Sequence, residues 1–189
     1  MATQLLFYEE IAPVALERHR DWSMGPRTDF SFVREVNAVP LMCTEFQPAS
    51  TDLPVVFGRN DEHLYTPIAV LGIERGRALV IDGDGRWVAG YVPAFVRRYP
   101  FVFAEAEDKR TFTLCLDEAC SAIDRTGQRG ERLYDAEGKP TEFLDKALEF
   151  TRNYEIETRK TAQFTKLLAD LDLFDPMQAG ITMPDGTAR

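Results

Sequence analysis

Two histidines and three cysteines are the only imidazole and thiol ligands in this chain of 189 residues. Cys43, Cys115 and Cys120 form no CxxC pair, and so small a set excludes a zinc module built on paired Cys and His ligands. An odd number of thiols fits no disulfide framework and points to a reducing compartment. The three read as small buried apolar side chains. Positive charge is also short: 22 Lys and Arg stand against 31 Asp and Glu, a formal charge of −9. That balance excludes phosphate-backbone binding, and with it nucleic acid, as the main activity. No stretch approaches the ~20 apolar residues of a membrane-spanning helix. At the amino terminus no basic residue precedes the short apolar run, and Glu9 and Glu10 interrupt it, so it does not read as a secretory signal. Cytoplasmic residence is the expectation. No GxSxG elbow, GxGxxG fingerprint or GxxxxGK[ST] loop occurs, which leaves serine-nucleophile, dinucleotide and phosphate-loop chemistry without a motif.

What is present, 44% hydrophobic and 28% charged residues, describes one ordinary domain over residues 1–189 with enough chain to bury a core. Gln4 to Tyr8 reads as a short edge strand. Ile11 to Trp22 places Val14, Ala15, Arg18 and Trp22 at helical spacing after Pro13, and Gly25-Pro26 breaks it. Phe30, Phe32, Arg34 and Val36 alternate as in a strand. Ile68 to Ile73, Arg77 to Asp82 and Trp87 to Val92 are apolar runs separated by glycine-bearing turns, the pattern of an antiparallel meander. Phe101 to Glu105 and Arg110 to Leu116 repeat it. Between the two lies Tyr91 to Pro100, where Pro93 and Pro100 bound a short helix or turn.

From Thr141 the period changes. Phe143, Ala147, Phe150, Tyr154, Thr158, Thr161, Thr165 and Leu168 step by three and four, one face of a helix of roughly 30 residues. The opposite face carries Glu149, Arg152, Glu155, Glu157, Arg159 and Lys160. Ala179 to Arg189 reads as a strand and a Pro-Asp-Gly turn without a return strand, as if the chain were cut short at Arg189. The architecture expected is α+β: an antiparallel meander sheet of roughly five to seven strands with the long carboxyl-terminal helix packed on it. The helix's thin apolar face also raises a homodimer through that helix.

Four constellations bear on chemistry. His19-Arg20-Asp21 with His63 imitates the two-histidine, one-carboxylate triad of non-haem iron oxygenases. On a helix, however, positions i and i+2 point apart, and a surface or capping histidine is the plainer reading. Asp82-Gly83-Asp84-Gly85 lacks the further oxygen ligands of a calcium loop and reads as a hairpin turn. Asp117-Glu118 offers paired carboxylates for acid–base work, or an acidic strand end paired with the arginines near Gly130. Trp87, Tyr91, Arg97, Arg98, Tyr99 and Phe103 interleave aromatics with arginine, the composition of anchors at an interface and equally of a core. Adjacent arginines are costly to bury unpaired, which favours a binding surface for a protein or small-molecule partner.

The chain resembles the SapC-like family of bacterial proteins in Leu5-Leu6-Phe7-Tyr8, Pro13-Val14 and His19, in Phe30-Ser31-Phe32 and Asn37 to Leu41, and above all in Tyr91 to Phe101. The likeness continues through Leu114 to Glu118, Gly130 to Tyr134 and Leu173 to Met177. The family takes its name from a surface-layer-associated protein and is distinct from the membrane-spanning peptide permease of the same name. Its members are usually longer, and some are encoded beside outer-membrane receptors and flavin halogenase-like proteins. The resemblance carries over no catalytic residue and no cofactor. It implies a non-enzymatic binding or accessory protein, with the region around residues 91–103 as the recognising surface. A small iron-dependent oxygenase using His19, Asp21 and His63 is the alternative.

Overall fold

The computed structural model describes residues 5–60, 64–105 and 112–177. In chain order the strands are β1 (Ile11–Pro13), β2 (Ser23–Met24), β3 (Ala38–Pro40), β4 (Val55–Arg59), β5 (Tyr65–Val70), β6 (Phe101–Glu105), β7 (Phe112–Asp117), β8 (Ile123–Asp124) and β9 (Glu131–Arg132). The helices are α1 (Leu16–His19), α2 (Phe46–Ala49), α3 (Ala94–Arg97) and α4 (Glu142–Asp170), with 3₁₀ turns at Ser31–Val33 and Cys43–Glu45.

The fold mixes helix and strand and ends on a long helix, as expected, but its strands do not form one meander. They divide into three small antiparallel sheets, ordered β1-β7-β6, β8-β2-β9 and β3-β5-β4. The expected hairpin of β6 and β7 is present, pairing Phe101 with Leu116 and Glu105 with Phe112. Further upstream, the turns at Gly76 and Gly85 form, both with positive φ, a conformation glycine adopts without steric cost. The runs they join do not pair as strands: the Ile81–Trp87 bridge and the bonds from Leu79 to Leu71 and Val88 to Val80 are their ladder.

Three other expectations are overturned for local reasons. The Ile11 to Trp22 helix is a strand followed by a single helical turn. The edge of β7 takes up Ile11, Ala12 and Pro13, and proline is tolerated there because an edge strand need not donate on its open side. The strand expected over Phe30 to Val36 is a 3₁₀ turn. Asp29 Oδ1 accepts the Ser31 N–H at 2.8 Å, bending the chain into an Asx turn. Phe32 then stacks on Tyr99 at 4.2 Å and meets Phe7 edge-on at 5.0 Å. Leu5 to Tyr8 likewise forms a turn rather than an edge strand. The strand expected over Ala179 to Arg189 lies outside the described residues.

Pro67 sits in β5, the middle strand of its sheet, where a missing N–H is normally excluded. Its carbonyl accepts from Leu41 N at 2.9 Å, one residue past the last residue of β3. A strand residue directs its N–H and C=O to the same side, so the missing donor costs only the return bond to Leu41, at the end of the pairing with β3.

Helix α4 spans 29 residues. Thr141 caps it by accepting the Leu144 N–H, and Glu142 and Asp145 occupy its first turn, where acidic groups favour the positive end of the helix dipole. Its buried stripe is Leu144, Thr151, Tyr154, Thr161 and Thr165, unusually polar for a core face. Thr151 Oγ1 donates to Ala147 O at 2.8 Å and Thr165 Oγ1 to Ala162 O at 3.2 Å. Thr161 Oγ1 accepts Cys43 N–H at 3.0 Å. The buried hydroxyls are thus satisfied within the protein, and the helix packs across β5 and β6. Glu155, expected on the outer face, is instead half-buried and faces Arg98 at 3.9 Å.

Candidate binding cleft

The segment from Tyr91 to Phe101 is held from three sides. Pro93 precedes the single turn α3, and the buried Glu45 carboxylate collects its donors. Glu45 Oε1 accepts Ala94 N–H and the Tyr91 hydroxyl, both at 2.7 Å, while Oε2 accepts Met42 N–H at 2.9 Å. Burial and this carboxylate push the Tyr91 hydroxyl up to about 12. Next comes a division of labour between neighbours. Arg97 is surface-exposed, donating to Val92 O at 2.9 Å and to the Tyr91 hydroxyl at 3.2 Å, with its guanidinium 5.4 Å from the Phe150 ring centre. Arg98 is 1% exposed, sandwiched between Phe95 at 4.6 Å and Tyr154 at 4.5 Å. Of the adjacent arginines, then, the first is exposed and the second is packed inward between rings. Tyr99 is buried too, donating to Asp117 Oδ2 at 3.2 Å.

Beside this segment the fold leaves a cleft of about 480 Å³. One wall is Arg97 to Phe101, a second is Met24 to Arg27, and the third is the first turns of α4, with Phe143, Lys146, Ala147, Phe150 and Thr151. Gly130 and Glu131 complete the lining. Gly130 has φ +77°, and a Cβ there would collide with the Met24 carbonyl, so glycine is what allows these two walls to meet. A more polar hollow of about 760 Å³ shares Pro26, Arg27 and Tyr99 with the cleft. Arg27 therefore stands in a common wall. Its Nη1 is shut off from solvent without a hydrogen-bond partner.

The expected aromatic and arginine residues are split by the fold. Arg97, Arg98 and Tyr99 line the cleft. Tyr91 adjoins it through Arg97, and Trp87 joins Tyr91 through a 3.0 Å bond from its indole Nε1 to the Tyr91 carbonyl. Phe103 lies apart on β6 against Phe112. Sequence reasoning missed Arg27, Phe143, Lys146 and Phe150. Phe150 and Phe143 carried a signal as part of the α4 stripe; Arg27, following a Gly-Pro break, carried none.

The SapC family profile matches residues 15–189, a span that contains every wall of the cleft. The chain belongs to the SapC family. No curated protein and no solved structure matches it.

The described residues of the other constellations take up partners within the fold. His19 is fully buried. Its Nδ1 lies 3.1 Å from Ala15 N and its Nε2 3.1 Å from Glu118 Oε1. Asp21 points away to Arg132 at 3.1 Å, and His63 lies outside the described residues. Among the described residues no three His, Cys, Asp or Glu side chains gather as a metal-ligand set. Glu118 pairs with Arg18 and His19 rather than with the arginines near Gly130. Burial works to raise its carboxyl, but the bonds from Arg18 and His19 outweigh this and hold it below the ordinary range. Asp117 accepts Glu9 N–H at 2.9 Å, Glu10 N–H at 2.8 Å and Ala119 N–H at 3.1 Å. Asp82 shapes the turn at residues 82–85 by accepting Asp84 and Arg86 N–H at 2.9 and 2.8 Å. Burial raises the Cys115 and Cys120 thiols, away from the thiolate that nucleophilic chemistry needs. No helix of the described residues is long and apolar enough to cross a membrane.

Proposed function

We propose that this SapC-family chain is a binding protein, not a catalyst, and that it takes a small organic molecule in the cleft beside Arg97 to Phe101. The observation that carries this reading is the cleft itself, about 480 Å³ with Phe101, Phe143, Ala147 and Phe150 among its lining residues. Small-molecule sites occupy roughly 300–1,000 Å³ and combine an apolar lining with few polar groups. A binding role is further supported by the carboxylates the sequence offers for acid–base work. Asp117 and Glu118 are saturated by protein donors, which suits a framework better than proton transfer. The stripe of α4 packs within the chain, so this function does not draw on a dimer through that helix.

The test uses a neutral aromatic probe, 2-naphthol, followed by fluorescence or ligand-observed NMR. Saturable one-to-one binding is expected, and Ala147→Trp, which fills the cleft, abolishes it. Absence of binding, or binding indifferent to Ala147→Trp in a folded variant, overturns the assignment of the cleft.

A further inference from the structure

The charge around the cleft is at odds with the charge of the chain. The whole protein carries −9, yet the cleft is lined by Arg27, Arg97, Arg98 and Lys146 against the single carboxylate of Glu131. Lys146 is matched by Glu142 at 2.7 Å, Arg97 approaches Glu45 at 3.7 Å and Arg98 approaches Glu155 at 3.9 Å. Arg27 differs. It is half-buried, and among the described residues it has no acidic partner within ion-pair distance. A guanidinium keeps its charge in a protein, and a half-buried charge without a counter-ion is costly.

Resting on the assignment of the cleft as the binding site, we infer that its ligand is a free organic carboxylate with an apolar body. The carboxylate is drawn to Arg27, and the body lies against Phe143 and Phe150. With Nη1 shut off from solvent, the carboxylate meets the Arg27 guanidinium on the side that lines the cleft, as the counter-ion its charge lacks. Aromatic rings on the opposite wall supply the area that an apolar body needs. Burial, foremost, and repulsion from Arg97 hold the Arg27 guanidinium below the ordinary arginine range, two penalties on its charge that a bound anion offsets.

The experiment compares 2-naphthoate with 2-naphthol, the same ring system with and without an ionised head. In the wild type naphthoate binds at least tenfold more tightly than naphthol, and raised salt narrows the gap. Arg27→Met brings the ratio close to one by weakening naphthoate alone, and Arg27→Lys restores part of the preference. Should both probes bind equally to the wild type, or should folded Arg27→Met keep the naphthoate preference, the carboxylate assignment is overturned while the cleft stands. If neither probe binds, the cleft falls and the carboxylate with it.

Discussion

Two charged regions of this molecule share Tyr99 and behave in opposite ways. At the end of β7, Asp117 and Glu118 are buried, and protein donors converge on them: three backbone N–H groups and a tyrosine hydroxyl on one, an arginine and a histidine on the other. Across Tyr99, Arg27 stands in the wall between two hollows, with no acidic partner among the described residues. Buried charge is tolerated where the fold supplies its partners. Where the partners are supplied, the group is framework; where one is missing beside open space, the group is poised for something from outside.

The sharpest way to break this contrast is to remove the framework. Asp117→Ala strands the N–H groups of Glu9, Glu10 and Ala119, and a loss of about 3–5 kcal/mol is expected in urea unfolding. A loss below about 1 kcal/mol would show that the knot does not hold the amino-terminal segment. Glu118→Gln weakens the bonds to Arg18 and His19 and should cost about 1–3 kcal/mol at neutral pH. Because the folded Glu118 carboxyl lies below its ordinary value, its contribution is complete above about pH 4.3 and declines as pH falls through the folded value. The difference between wild type and Glu118→Gln should therefore shrink below pH 4; an unchanged gap would contradict the pairing.

Smaller effects sharpen the comparison from the other side. Thr141→Ala removes the cap of α4 and should cost about 1 kcal/mol in the same assay. Arg27→Met, measured without ligand, should change stability by no more than about 0.5 kcal/mol, or raise it, since a half-buried charge without a counter-ion is relieved. A loss of 2 kcal/mol or more would make Arg27 framework like Asp117.

The elements that could be read in advance are those written in local chemistry. Thr141 followed by a three-and-four stripe specifies α4, and Pro93 with Pro100 brackets the turn α3. Glycines at 76 and 85 mark turns through their backbone freedom. What could not be read depends on pairing between distant residues. The apolar runs at 77–82 and 87–92 have strand composition, yet no neighbour lies alongside for more than a few bonds. Ile11 to Pro13 follows the open edge of β7 instead of the helical spacing around it. The segment 91–103 was visible as aromatics and arginines, but their sorting was not. Arg97 and Arg98 are neighbours in sequence, and only the ring sandwich of Phe95 and Tyr154 sends the second inward. Arg27 could not be singled out, because its significance lies in lacking a partner that a sequence cannot show.

The most direct measurement is a ¹⁵N NMR titration of the full chain with 2-naphthoate, followed residue by residue. Saturable shifts are predicted at the amides of residues 24, 25, 27, 97–99, 101 and 143–151, while the amides of Glu9, Glu10 and residues 117–119 hold their positions. Shifts centred on 117–119 with the cleft silent, or no saturable shift anywhere, would contradict the division between a satisfied framework and a receptive wall.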